Sequence, residues 1–259
     1  MKCRCWLPLA ALSLALAVAC DPDLTVPKLA AADSGTDART ESSTMDGSLP
    51  TQDAGETEAG SNDAGAKHAI DGVNDFAPGE KFSTTSSGTG YDAYFAWDDQ
   101  RLYFGMSGAD VASSSATKWV MVYLEGTPGH AVGESYGGVQ QPNLPFSAGT
   151  HLRWKADQSF SKAEKWNGAA WVDASATVPI VAMAQGSFME MSITRSAIGS
   201  PSTLKVHMNM LIEGGGSDWT YAGMPSTSFV DSLNPSFTRY FDFDLSNTTK
   251  APNSYTPGP

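Results

Sequence analysis

Residues 91–106 read YDAYFAWDDQRLYFGM, two apolar-rich runs, Tyr91 to Trp97 and Leu102 to Met106, joined at Asp98-Asp99-Gln100. Short runs of aromatic and small apolar residues meeting at a polar turn predict a β-hairpin. The pattern continues in both directions. Trp119 to Leu124 is apolar on both faces, as a central strand in a two-layer structure would be. His151 to Lys155 alternates, and Lys162 to Trp166 leads through Asn167-Gly168 to Ala170-Trp171-Val172. Asn-Gly is the strongest short hairpin signal, because both residues tolerate positive φ.

Further strands are expected at Ile180 to Ala184, Phe188 to Ile193, Leu204 to Ile212 and Tyr240 to Leu245. Helix is expected only over Thr194 to Ile198, a single turn with Thr194 as its cap and Gly199 as its stop. About ten short strands with turn signals predict an all-β fold, an antiparallel, jelly-roll-like β-sandwich. Two stretches read as long loops, Gly126 to Gly149 and Gly214 to Phe237, the second carrying Trp219 and Tyr221. Loops of that length in a compact domain are more often functional or disordered than filler.

Upstream the chain changes character. Lys2 and Arg4 precede an apolar run from Trp6 to Ala19, and Asp21-Pro22-Asp23 follows at once. A charged start, a short apolar stretch and a small-residue close are a secretory signal, since a membrane span needs about 20 apolar residues. Leu16-Ala17-Val18-Ala19-Cys20 resembles the lipobox of bacterial lipoproteins, which implies lipid on the Cys20 thiol and display at a membrane of the cell envelope, the outer membrane or cell surface. The competing reading is a plain signal peptide with a chance cysteine. Cys3 and Cys5 would leave with the signal, so no disulfide or zinc-thiolate site remains for the mature chain.

From residue 21 to 66 the composition is Ala, Asp, Gly, Ser, Thr and Glu, and the formal charge of this segment is −8 against −12 for all 259 residues. Such a segment cannot bury enough surface to offset its ordering entropy and reads as a flexible acidic tether. As a coil of roughly 46 residues it would set the domain on the order of 35 to 40 Å from its anchor. The expected organisation is a signal at 1–19, a lipid-anchored linker at 20–66, the sandwich at 67–250 and a tail at 251–259. Neither linker nor domain carries the basic patch that phosphate binding needs, which argues against a nucleic-acid partner.

Chemistry-bearing patterns are sparse. His68, His130, His151 and His207 are far apart in sequence, and no nucleophile elbow, phosphate loop or dinucleotide fingerprint occurs. Gly214-Gly215-Gly216 lacks the lysine that phosphate chemistry wants. Asp98 and Asp99 sit where aspartate bonds its own turn, Glu190 reads as facing solvent from an alternating strand, and Asp242 and Asp244 share a solvated face. Asp71 and Asp75, in Ile70-Asp71-Gly72-Val73-Asn74-Asp75, are the candidate ligands for a structural calcium, because a turn can aim side-chain and backbone oxygens together. The chain is therefore expected not to be an enzyme.

Aromatic residues carry more. Trp119 belongs to the core, and Trp97 to the core or its rim. Trp219, with no apolar run around it, is a candidate exposed platform, or else it pins its own loop. Concave sites with aromatic walls and a few polar groups are the usual small-ligand design. Trp219, Tyr221, Trp171 and Trp154 are the candidate ligand-binding residues.

The segment at 69–77, AIDGVNDFA, followed by YFAWDDQRLYFGM at 94–106 and EMSITRSAIG at 190–199, resembles family 9 carbohydrate-binding modules and the wider DOMON-like sandwiches. The resemblance implies an antiparallel sandwich that binds carbohydrate, in some members between tryptophans, with structural calcium in some. The hairpin from Lys165 to Trp171 and the long loop around Trp219 depart from the family pattern. DOMON-like domains also include haem-binding modules, for which Met106, His151, Met183 and His207 supply ligand types. A structural or adhesive lipoprotein without a small ligand is the third reading. The expected partners are carbohydrate and, through the lipid alone, a membrane, with the protein a monomer.

Overall fold

The structure, a computed structural model, describes residues 65–86, 89–111, 115–134, 140–214, 218–226 and 233–259. The signal, Cys20 and the acidic linker up to residue 64 lie outside the described residues, as do Gly215 and Gly216.

Among the described residues twelve strands form two antiparallel sheets. The first sheet has five strands in the order β1-β2-β3-β9-β8: β1 (Lys81–Ser86), β2 (Thr89–Trp97), β3 (Arg101–Ser107), β9 (Phe188–Thr194) and β8 (Val181–Gln185). The second has seven, β11-β10-β4-β5-β6-β7 with β12 also pairing with β10: β11 (Trp219–Met224), β10 (Thr203–Ile212), β4 (Lys118–Val132), β5 (Asn143–Lys155), β6 (Ser161–Trp166), β7 (Trp171–Asp173) and β12 (Phe241–Asp244). No α-helix occurs among the described residues, so the all-β sandwich expected from the sequence is the fold.

The opening hairpin pairs Trp97 with Leu102 and Phe95 with Phe104. Asp98 closes it: Oδ1 accepts the N–H groups of Gln100 and Arg101, both at 2.7 Å, and Oδ2 accepts the Tyr103 hydroxyl at 2.6 Å. Between the sheets Phe95, Phe104, Met106, Met189 and Met191 meet Val120, Val122, Leu152, Trp154, Met208 and Met210, all buried. Methionine's flexible thioether fills irregular gaps in such a core. Phe95 also packs on Phe243 of β12, ring centroids 4.5 Å apart.

Three expectations change, and one strand is added. Strand β1 is not legible in the sequence because its inward residues are Phe82, Thr84 and Ser86, two of them hydroxyl-bearing. Thr84 Oγ1 accepts the Gly223 N–H of β11 at 3.1 Å, joining the edges of the two sheets. Trp219 and Tyr221 belong to strand β11 rather than to a loop, with a register shift beside Tyr221. Secondly, most of the stretch read as a glycine- and proline-rich loop at 126–149 extends β4 and β5. The two strands bend together where Gly126 and Gly149 touch; a Cβ on Gly149 would lie 2.5 Å from the Gly126 Cα. Finally, residues 251–259 are no free tail: Tyr255 packs against Trp97 and Phe243, Asn253 Nδ2 donates to the Pro78 carbonyl at 2.9 Å, and Gly258 bridges Tyr240.

The turn after β9 is a 3-10 turn, Arg195–Ile198, stopped as expected by Gly199 at φ 86°. Thr194 occupies the cap position but its side chain makes no capping bond. Arg195 instead ties the region together, its guanidinium donating to the carbonyls of Asp98 at 2.9 Å and Pro201 at 2.9 Å.

Candidate functional site

Inward residues of the seven-stranded sheet alternate with a second set on its outer face. Antiparallel partners point to the same side, so register aligns that set in rows. One row runs His207, Tyr123, His151, Glu164, Asp173 across β10, β4, β5, β6 and β7. The next runs Asn209, Met121, Arg153, Lys162, and a third Leu211, Trp119, Lys155. Polar residues at alternate strand positions normally face water, yet His151, Arg153, Glu164, His207 and Asn209 are all buried.

The cover comes from the bent β4–β5 arm and the segment before β12. Leu144, Phe146 and Phe237 form an apolar cluster with Trp119, Met121, Tyr123 and Leu211. Trp171 Nε1 donates to the Val132 carbonyl at 3.2 Å, and the Phe237 ring lies 3.8 Å from His207 by centroids. Aromatic rings continue from this interior to the rim: Tyr123 stacks on His151 at 4.3 Å, Trp171 meets His151 edge-on at 5.9 Å, Trp166 meets Trp171 at 5.7 Å, and His130 stacks on Trp166 at 4.1 Å. Trp166, Trp171 and His130 are partly exposed.

Charges on this face are matched. Glu164 Oε1 meets Arg153 Nη2 at 2.5 Å and Lys162 Nζ at 2.9 Å, while Lys155 lies 3.2 Å from Glu213 and 5.2 Å above the Trp119 ring. Burial, aided by the Arg153 charge, drives the His151 pKa well below its ordinary value, so the imidazole is neutral. Burial likewise pushes His207 down to about 3 against a backbone hydrogen bond with Arg239.

The four sequence-derived ligand candidates do not converge. Trp171 is part of the ring ladder. Trp154 faces the interior between the sheets, and Tyr221 is buried against Tyr91 with its hydroxyl 3.6 Å from Met210 Sδ, so neither can meet a ligand from solvent. Trp219 is 45% exposed, as an open platform would be, but it pairs with Ile212, which packs on the inner core. It stands on the opposite edge strand from Trp171, five strand spacings or about 24 Å away. Trp166, His130, Glu164 and Arg153 were not singled out from sequence. The parity of His151-x-Arg153 against Leu152-x-Trp154 already separates the outer set from the inner one; only the covering arm makes the outer set a site.

The other singled-out acids serve the start of the domain. Asp71 Oδ1 accepts the Val73 N–H at 2.8 Å, and Asp75 holds His68 Nδ1 at 2.8 Å and the Ala69 N–H at 3.2 Å. Glu190, expected to face solvent, is fully buried because Oε1 accepts the N–H groups of Asp71 at 2.8 Å and Gly72 at 2.6 Å. Burial, with the Asp75 and Asp71 charges behind it, pushes Glu190 up to about 7 despite those two bonds. His68 is wedged between Asp75 and Glu80; burial opposes its charge, but the two acids raise its pKa overall. Asp71 and Asp75 thus serve as acceptors for the chain's own donors, and no group of three or more His, Cys, Asp or Glu side chains with metal-binding geometry occurs among the described residues. Met106 is inside the core and Met183 on the exposed edge strand β8, both on the sheet opposite His151 and His207, so the four candidate haem ligands are not brought together.

Compared with known proteins, the chain matches no family model and no curated sequence.

Proposed function

We propose that this protein is a carbohydrate-binding module without catalytic activity, held at a bacterial envelope membrane by lipid on Cys20. The observation that carries the reading is the ladder from His130 and Trp166 through Trp171 to His151, which joins partly exposed indoles to a buried row of polar side chains. An indole face attracts the C–H bonds of a sugar ring, and adjacent polar groups orient its hydroxyls. The motif likeness of residues 69–77, 94–106 and 190–199 to family 9 modules supports the same ligand class.

A glycan array probed with the full chain and with Trp171→Ala, Trp166→Ala and Trp219→Ala tests it. Loss of a platform indole is expected to weaken binding by about tenfold or more, whereas Trp219→Ala, remote from the ladder, retains it. Absence of any glycan signal, or wild-type binding by both ladder variants, refutes the proposal.

A further inference from the structure

Asn167 is the one asparagine of the sequence that is followed by glycine, and it opens the turn between the paired Trp166 and Trp171. Residues 167–170 are exposed. The Asn167 side chain is the acceptor that shapes this turn: Oδ1 takes the N–H groups of Ala169 and Ala170, both at 2.9 Å, while the Asn167 N–H donates to the Ala170 carbonyl at 3.1 Å. The ring closed by the Ala169 bond contains both Cγ of Asn167 and the backbone nitrogen of Gly168. An electrophilic carbon and a nitrogen able to attack it are thus held in one closed loop. The two N–H groups also polarise the Cγ carbonyl and stand where negative charge develops when that carbon is attacked. Gly168, at φ 99°, has no Cβ to shield its nitrogen, and nothing lies within 4 Å of where a Cβ would be.

We propose that Asn167 is a self-modification site, cyclising onto Gly168 to give isoaspartate and so uncoupling the Trp166–Trp171 indole pair. The Gly168 nitrogen forms a bond to Cγ, the Cγ–Nδ2 bond breaks, and ammonia leaves with the Gly168 amide proton, giving a succinimide. Water then cleaves one of its two C–N bonds. Opening at Cγ yields aspartate on the original backbone, whereas opening at the main-chain carbonyl yields isoaspartate, whose backbone runs through Cγ. Isoaspartate lengthens the turn by one methylene and draws the acceptor oxygen into the main chain, so the Ala169 and Ala170 N–H groups lose their partner. Strand β7 has only three residues, each paired with β6, and this turn sets their register. The indoles, 5.7 Å apart at 66°, flank the inserted methylene. Under the carbohydrate reading above, on which this last consequence rests, the step is a slow loss of the Trp166–Trp171 platform.

Asn247 supplies the comparison within the chain. Its Oδ1 accepts the N–H groups of Thr249 at 3.2 Å and Lys250 at 3.1 Å, the same pattern of bonds, but its successor is the β-branched Thr248.

The test is ageing of the full chain in detergent in mildly alkaline buffer. Peptide mapping by mass spectrometry follows each asparagine, and circular dichroism follows the exciton couplet of the indole pair in the same samples. Asn167 is expected to convert about tenfold or more faster than Asn247, with the couplet falling in step with the isoaspartate fraction. Asn167→Ser keeps a turn-forming oxygen but has no amide carbon to attack, so its couplet should survive the same ageing. Conversion of Asn167 no faster than that of Asn247 overturns the inference. So does a couplet that persists after conversion, or one that decays equally in Asn167→Ser. The two wild-type readouts stand if the variant fails to fold, and none of the three uses a glycan, so a failure of carbohydrate binding is scored separately.

Discussion

Replacing Glu190 with glutamine should abolish a pH dependence of stability that the wild-type protein carries. Glu190 is fully buried, and its pKa rises from the ordinary 4.5 to about 7. Below pH 4.5 the carboxyl is protonated in both the folded and the unfolded chain and has no effect. Between 4.5 and 7 the folded state keeps a proton that the unfolded state has lost, so stability falls as pH rises; above 7 the penalty is complete. Each pH unit between the two pKa values is worth about 1.4 kcal/mol, so the total is about 3 kcal/mol. Glutamine keeps an oxygen for the Asp71 and Gly72 N–H groups but carries no charge to be desolvated or repelled by Asp71 and Asp75. Its stability advantage over wild type should therefore grow by about 3 kcal/mol between pH 4.5 and pH 8, or about 6 to 12 °C in Tm for a domain of this size. Thermal and urea unfolding of both proteins at several pH values measures the difference, and His68, which titrates in both, cancels from it. A difference that stays flat with pH refutes the reasoning.

Gly149→Ala should cost about 2 kcal/mol or more, since the added Cβ meets the Gly126 backbone rather than a flexible side chain; an unchanged urea midpoint would contradict it. Chelation with EGTA is expected to leave Tm unchanged, because Asp71 and Asp75 bond the chain's own donors and need no metal to hold the turn, whereas a clear drop in Tm would show calcium at that turn. Cys20→Ser should move the protein out of the membrane fraction while its far-UV spectrum and Tm stay as they were; an unchanged membrane fraction would count against the anchor.

Local pattern carried far in this chain. Asp98 closing the first hairpin, Asn167-Gly168 turning the second and Gly199 stopping the 3-10 turn depend on a few consecutive residues. Strands with strong apolar runs, such as Trp119 to Leu124, were legible because their burial is written into composition. Strand β1 was not, for Thr84 and Ser86 point inward without looking apolar, and their place depends on the edge of β11 arriving from 139 residues away.

The sequence by itself determined an all-β chain, the strand periods and the split between an acidic leader and an aromatic-rich domain, since these follow from local propensity and alternation. Which polar residues are buried, which aromatics touch and which acids have partners was decided only in three dimensions. Glu190 changes from a solvent-facing acid to a buried acceptor because residues 71 and 72 reach it from 119 and 118 positions away. His151, Arg153 and Glu164 read as a wet strand face until the arm bent at Gly126 and Gly149 covers them. Trp171 and Trp219, alike as isolated tryptophans, part to opposite edges of one sheet because strand order is a property of the whole chain.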